Sequence, residues 1–198
     1  MDYIFPIIIF VFSVIIHEVS HGYAAYLQGD NTAKFAGRLT LNPISHIDIM
    51  GSIVIPGILL LAPSPMVVGW AKPVPFNPYN LRNQKWGEAL VAIAGPLSNI
   101  CIALVFGIMI RFGFFVSLLD LFSYIVLINL VLATFNLVPI PPLDGSKILF
   151  SIFPNSLNQT RQFLERSGFF ILLLFVFYFW QYVTPLVYLE FSWITGIF

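Results

Sequence analysis

Two histidines and a glutamate lie close together near the start of the chain, in the sequence His17-Glu18-Val19-Ser20-His21. Residues four positions apart lie on one face of an α-helix, about 6 Å apart along its axis. Two imidazole rings at this spacing can bind one metal ion, and a glutamate beside the first can reach a water molecule at the metal. The pattern predicts a metal site with His17 and His21 as ligands and Glu18 as general base. The alternative is a pair of buried histidines with a structural role.

The residues around this pattern are strongly apolar. Hydrophobic residues make up 59% of the 198 residues and charged residues 9%, whereas soluble domains average about 25% charged residues. We therefore expect an integral membrane protein in which residues 1–198 form a single membrane-embedded domain. Ionisable side chains are costly inside a bilayer and usually mark a functional site, which favours the metal site over structural histidines.

Four segments are long and apolar enough to cross a bilayer, which takes about 20 residues in a helix. They are 4–28, 88–110, 117–138 and 168–190. Residues 47–62 are also apolar, but glycine and proline interrupt them, so we interpret them as a re-entrant or half-spanning segment. Alternating apolar and polar residues at 34–42 predict a short β element. The expected fold class is an all-α polytopic membrane protein with about four transmembrane helices and these two additions.

The basic residues favour one topology. If residues 47–62 return to the side from which they entered, Arg111 alone lies on one side of the membrane and the other basic residues share the opposite side. These are Lys34, Arg38, Lys72, Arg82, Lys85, Lys147, Arg161 and Arg166. If residues 47–62 cross the membrane instead, six basic residues lie on one side and three on the other. The positive-inside rule favours the first topology, which places the His21 end of the first helix on the cytoplasmic side.

The start of the chain bears on whether a signal peptide is removed, and the single cysteine bears on disulfides and zinc ligands. Met1-Asp2-Tyr3 lacks the basic region of a signal peptide, so we expect the first apolar segment to be retained. The one cysteine, Cys101, excludes an internal disulfide and a cysteine-based zinc site. Net charge is zero, and we expect no nucleic-acid partner.

A catalytic zinc ion usually has three protein ligands and one open position, so a third ligand is needed. Asp144 is the strongest candidate, because it follows a proline-rich break after an apolar span, and Gly145 permits close approach. From its position alone, Asp144 could equally cap the helix expected from about Ser146 to Phe153. The third histidine, His46, is either a neighbour of the metal ligands or a loop residue at the membrane interface.

Taken together, these motifs resemble the site-2 proteases, the intramembrane zinc metalloproteases of peptidase family M50. The resemblance rests on His17–His21 in the first apolar helix and on Asn136-Leu-Val-Pro-Ile-Pro-Pro-Leu-Asp-Gly145 downstream. The loop Gly69-Trp-Ala-Lys-Pro-Val-Pro-Phe-Asn-Pro78 and the helical Ala94-Gly-Pro-Leu-Ser-Asn99 are similar to motifs of short prokaryotic members. The similarity extends over residues 17–150.

The resemblance implies an activity and a set of residues that perform it. One zinc ion per chain would be bound by His17, His21 and Asp144, with Glu18 activating water. The substrate would be a transmembrane segment of another protein, cut in a prokaryotic cell membrane with the active site toward the cytoplasm. Many family members carry a PDZ or CBS domain, whereas the loops here are too short for either, so we expect a minimal catalytic core.

A substrate helix must unwind before hydrolysis, and its exposed amides then need polar partners in the lipid. The candidates for substrate contact are Asn136, Asn129, Asn99 and Pro141. For the asparagines, hydrogen bonding between helices is the alternative. A competing hypothesis for the whole protein is a membrane transporter of metal ions or protons that uses the same histidines and aspartate. The oligomeric state is not indicated by the sequence.

Overall fold

The computed structural model describes residues 4–54, 58, 71–153 and 157–197. Within these ranges the regular structure is helical and no residue lies in a β-strand. The α-helices are α1 (Ile4–Leu27), α2 (Thr32–Phe35), α3 (Gly87–Arg111), α4 (Leu119–Asn136), α5 (Asp144–Ile152), α6 (Asn158–Leu174) and α7 (Trp180–Thr195). Short 3-10 turns lie at Pro43–His46, Pro78–Asn80 and Val116–Leu118, and π-helical turns at Ile49–Val54 and Phe175–Phe179.

Four helical segments in the described part of the chain are long and apolar enough to cross a membrane, as the sequence predicts. These are α1, α3, α4 with the turn before it, and the continuous helix Asn158–Thr195 that joins α6 to α7. The last segment has 38 residues and begins ten residues before the predicted span at 168–190. The predicted class, an all-α polytopic membrane protein with about four transmembrane helices, is therefore confirmed as far as its helices are concerned.

Helix α3 lies at the centre of the bundle, because it packs against α1, α4, α5 and α7. Small residues permit this close packing. A Cβ atom on Gly107 would lie 2.3 Å from Cγ2 of Ile194 on α7, so these helices could not approach as closely with a larger residue. Around this contact, Ala103, Val126 and Val187 form part of the buried apolar core. The outer faces of the helices expose large apolar side chains, as expected for surfaces that contact lipid.

The predicted β element at 34–42 is wrong. Its first residues belong to α2, and Gly37 then adopts a left-handed conformation with φ of 65° that reverses the chain. Alternation indicates a strand only where one face is buried, but Phe35 and Leu41 are exposed here. The predicted re-entrant segment 47–62 is described only in part: Ile49–Val54 is a π-helical turn, and residues 55–57 and 59–62 lie outside the described residues.

Asp30 connects the end of α1 to the loop that follows the undescribed segment. Its buried carboxylate accepts hydrogen bonds from the Thr32 backbone N–H and hydroxyl, from the Asn77 backbone N–H at 2.7 Å and from the Asn80 side-chain amide at 2.9 Å. Burial by itself raises the pKa of Asp30, but these bonds from Thr32, Asn80 and Asn77 hold its pKa below the ordinary value. The ionised side chain therefore stabilises the loop that contains Asn77 and Asn80.

Replacing Asp30 by asparagine should lower the stability of the protein at pH 7 by about 1–3 kcal/mol, because buried donors lose their charged acceptor. A carboxyl whose pKa is depressed by folding adds stability above its unfolded pKa, near 3.9, and that stability disappears as pH falls through the folded pKa. Thermal unfolding at pH 7 and pH 3 would show the difference between wild type and Asp30→Asn shrinking in acid. The exposed Asp120 supplies the control Asp120→Asn, and an equal loss at both pH values would contradict the role of the charge.

Candidate metal centre

Folding brings His17 and His21 of α1 together with Asp144, the first residue of α5, although Asp144 is 127 positions from His17 in the chain. The Asp144 Oδ2 atom lies 3.1 Å from the Nε2 atoms of both histidines, and the two Nε2 atoms are 3.0 Å apart. All three side chains are buried. This cluster could hold one metal ion.

The hydrogen bonds on the far side of each imidazole ring determine which atoms face the centre. His17 Nδ1 lies 2.6 Å from Oδ1 of Asn99, and His21 Nδ1 lies 2.7 Å from the main-chain carbonyl of Val91. Both partners are acceptors, so each Nδ1 carries the proton and donates. Each Nε2 then presents a lone pair to the centre beside the Asp144 carboxylate. Two imidazole nitrogens and one carboxylate oxygen are a donor set that suits zinc.

The space at the centre depends on Gly95 of α3. A Cβ atom at this position would lie 2.4 Å from His21 Nε2 and 2.6 Å from His17 Nε2. Real Cβ atoms essentially never approach other atoms so closely. The absence of a side chain at residue 95 is therefore what allows the two rings to turn their Nε2 atoms toward Asp144.

Asp144 does not occupy the capping position of its helix. Leu143 is the capping residue of α5, and the Asp144 carboxylate faces the histidines, with its Oδ1 atom 3.9 Å from Nζ of Lys147. Gly145 permits this placement, since a Cβ atom there would lie 2.2 Å from the carbonyl oxygen of Leu137. The proline-rich segment before α5 therefore packs directly against the start of the helix that carries Asp144.

Glu18 is half-buried beside the histidines, and one of its oxygens is anchored. Its Oε2 atom accepts a hydrogen bond of 2.9 Å from the backbone N–H of Val74. Val74 lies in residues 71–77, which have no regular structure. Their ends are attached elsewhere: Lys72 N–H donates to the His46 carbonyl and Asn77 N–H to Asp30. A loop that is remote in the chain thus holds the carboxylate of the predicted base.

Comparison with known proteins identifies the family. The sequence profile of peptidase family M50 matches residues 113–175. A protein of Bacillus subtilis (strain 168) named "Putative zinc metalloprotease YwhC" is 37% identical over 190 residues, which cover 91% of this chain and 80% of that relative. The chain belongs to peptidase family M50.

Two further relatives share part of their length with this M50 peptidase. "Zinc metalloprotease MJ0392" of Methanocaldococcus jannaschii is 30% identical over 147 residues, 74% of this chain and 33% of the relative. "Putative zinc metalloprotease Rip2" of Mycolicibacterium smegmatis is 30% identical over 139 residues, 67% of this chain and 51% of the relative. No solved structure gives a significant match. The protein is a zinc metalloprotease of the membrane, and the transporter hypothesis is not favoured.

The structure places the four predicted substrate contacts of this M50 peptidase in different surroundings. Asn99 and Asn129 are completely buried and hydrogen-bonded to each other at 2.8 Å. Asn136 is half-buried and donates to the Leu132 carbonyl of its own helix. Pro141 packs against α6, where a Cβ atom on Gly168 would lie 2.6 Å from the carbonyl oxygen of Pro141. Contact with substrate stays a prediction for all four.

The His46 side chain is bonded within its own loop, whereas three residues that contact the site carry little or no signal in the sequence. His46 is buried in the loop after α2, where its Nε2 donates to the Thr40 carbonyl and its main-chain carbonyl accepts from Lys72 N–H. Gly95, Val91 and Val74 all contact site residues, but the sequence by itself assigns none of them a role there. The glycine at 95, followed by Pro96 in the middle of an apolar helix, was an available signal, because such residues often mark a close approach in membrane helices. The backbone groups of Val91 and Val74 leave no signal in the sequence.

Proposed function

We propose that this M50 metalloprotease hydrolyses a peptide bond within or near a transmembrane segment of another membrane protein. The observation that carries the proposal is the depth of the ligand cluster in a helix that can cross the membrane. His21 and His17 lie six and ten residues before the end of α1 at Leu27, or about 9 and 15 Å along the axis. A site at this depth suits a substrate that is itself embedded in lipid.

Each residue of the centre has a role in this proposal. His17, His21 and Asp144 would hold zinc, with the two Nε2 atoms and a carboxylate oxygen as its donors. Bound zinc would polarise the scissile carbonyl and lower the pKa of water to about 7. Glu18 takes a proton from the attacking water and gives it to the nitrogen of the leaving amine as the peptide bond breaks. The Val74 N–H holds Oε2 of Glu18, which leaves Oε1 to carry the proton.

Substrate handling is assigned mainly to the segment that precedes Asp144. Asn136 ends α4 and is half-buried, so its amide can exchange the Leu132 carbonyl for an unwound substrate backbone. Pro141 lies between Asn136 and Asp144 but is buried against α6, so it would act on this surface only by positioning the segment. Asn99 and Asn129 are completely buried, which makes them less suited to substrate contact. We place the catalytic side toward the cytoplasm on the basis of the charge asymmetry in the loops.

The proposal is tested with purified protein in liposomes that contain a model transmembrane substrate. We expect cleavage inside or next to the apolar segment, complete inhibition by a zinc chelator and recovery when zinc is added back. The same liposomes, loaded with a metal-sensitive dye and a pH dye, report transport. Hydrolysis of soluble peptides without cleavage of the embedded substrate would overturn the substrate assignment. Metal or proton flux without any hydrolysis would favour the transporter.

A further inference from the structure

A buried line of hydrogen bonds leads from His17 away from the metal centre, through α3 and into α4. His17 Nδ1 bonds to Asn99 Oδ1 at 2.6 Å, and Asn99 Nδ2 bonds to Asn129 Oδ1 at 2.8 Å. Asn129 Nδ2 in turn donates to the Ile125 carbonyl at 2.8 Å and to the Ser13 hydroxyl at 2.9 Å. Both asparagines have no exposed surface, so water does not compete for these bonds.

The direction of every hydrogen bond in this line is fixed by the bond at its far end, from Asn129 to the Ile125 carbonyl. The Ile125 carbonyl can only accept, so the amino group of Asn129 must face it, and Oδ1 of Asn129 therefore faces Asn99. The amino group of Asn99 must then donate to that oxygen, and it also lies 3.4 Å from the Ser13 carbonyl. Oδ1 of Asn99 is left facing His17, whose Nδ1 must carry the proton. The lone pair of His17 consequently lies on Nε2, the atom at the metal centre.

The two histidines differ in how this tautomer is set. His21 donates to a main-chain carbonyl, which cannot exchange its oxygen for a donor. His17 faces a side-chain amide, whose oxygen and nitrogen exchange places when the group turns by 180°. A turned Asn99 would present a donor to Nδ1 and favour a proton on Nε2. The Asp144 carboxylate, 3.1 Å from Nε2, would attract a proton to the same atom.

We propose that Asn129 is a positioning residue of the metal centre: through Asn99 it fixes the tautomer in which His17 Nε2 can bind zinc. The anchor of the line is the Ile125 carbonyl. Helix-to-helix hydrogen bonding alone would not require a particular order of donors and acceptors, whereas this role does. The inference rests on the metal site of the proposed function, but on neither the substrate nor the peptidase activity.

Zinc affinity in a double-mutant cycle provides the first test. Zinc dissociation constants are measured by chelator competition on nanodisc-embedded protein for wild type, Asn99→Leu, Asn129→Leu and the double variant. We expect Asn99→Leu to weaken binding about 10- to 100-fold and Asn129→Leu about 3- to 10-fold, the range in which outer partners of metal ligands act. The double variant should bind no more weakly than Asn99→Leu, because Asn129 acts through Asn99. If the fold-losses of zinc affinity in the two single variants multiply in the double variant, the proposal is overturned.

The second test reads the tautomer directly. In zinc-free protein labelled with ¹⁵N-histidine, ring-nitrogen chemical shifts show which nitrogen of each ring carries the proton. We expect His17 to be protonated at Nδ1 in wild type and to shift toward Nε2 in Asn129→Leu, while His21 stays unchanged as an internal reference. Asn99→Asp offers a rescue, since both carboxylate oxygens accept. In that background, Asn129→Leu should leave the tautomer of His17 unchanged.

A matched control separates positioning from stability. Thr184→Val also removes a hydrogen bond inside a membrane helix, the one from its hydroxyl to the Trp180 carbonyl, at a position outside the line. It should leave the zinc affinity and the His17 tautomer at wild-type values. If Asn129→Leu behaves like Thr184→Val, lowering the unfolding temperature at most, Asn129 is only a contact between helices and the proposal fails. A protein that binds zinc as expected but cleaves no substrate would contradict the proposed function alone.

Discussion

Glu18→Gln is expected to reduce peptide hydrolysis about 10²- to 10⁴-fold, the usual contribution of a general base, while zinc remains bound. Glutamine is similar in size and keeps an oxygen that can accept the Val74 N–H, so the geometry around the side chain is preserved. It cannot take a proton from water at neutral pH. Initial rates on a transmembrane substrate, with zinc content measured on the same preparations, would show lost turnover at unchanged metal content.

Glu88→Gln is the matched control for this variant. Glu88 lies in the first turn of α3 and faces Arg161 at 3.7 Å, so its substitution removes an acidic group outside the metal centre. Exposed ion pairs contribute about 0–1 kcal/mol, and we expect hydrolysis within about twofold of wild type. Hydrolysis by Glu18→Gln at the rate of Glu88→Gln would exclude Glu18 as the base.

Gly95→Ala is expected to weaken zinc binding severely and to remove activity with it, although it adds only one methyl group. The new Cβ atom would lie within 2.6 Å of the Nε2 atoms of both histidines, so the rings must turn away from Asp144. We expect zinc affinity to fall by more than about a hundredfold, beyond what loss of an outer partner of a ligand costs. Zinc titration into metal-free protein, followed by hydrolysis assays, measures both effects.

Gly107→Ala tests whether the effect belongs to the metal centre or to helix packing. It places the same methyl group on the same helix, where it would meet Cγ2 of Ile194 at 2.3 Å. This clash is with the stiff, β-branched Ile194 of a neighbouring helix, away from the histidines and Asp144, so we expect reduced thermal stability but normal zinc affinity. Equal loss of zinc binding in both variants would show that Gly95 acts through the packing of α3 rather than through the space at the histidines.

The sequence was informative where the signal is local. Membrane spans follow from continuous apolar composition, and the helical pairing of His17 with His21 follows from a spacing of four residues, so both could be predicted without a structure. The strand predicted at 34–42 shows the limit of such reasoning. Alternation was present, but whether one face of the segment becomes buried is decided by its neighbours, and there Gly37 turns the chain after a short helix.

Asn129 and Asn136 show a second limit. Both were predicted to contact substrate, yet Asn129 is completely buried against α1 and α3, whereas Asn136 is half-buried at the end of α4. Whether a polar residue inside a membrane helix contacts substrate or another helix depends on which helices surround it. Nothing within the helix itself contains that information.

By itself, the sequence determined the class of protein, the four spans and the pairing of two of the three residues in the candidate metal cluster, because composition and short spacings act within a single helix. Its position made Asp144 the strongest candidate for the third ligand and the resemblance to a family favoured it, but only the tertiary structure brought its carboxylate to 3.1 Å from both histidines. Only the structure, too, placed Gly95 against the rings and linked Asn129 to His17. These relations join residues on different helices, and they arise from how the helices pack, which no local pattern encodes.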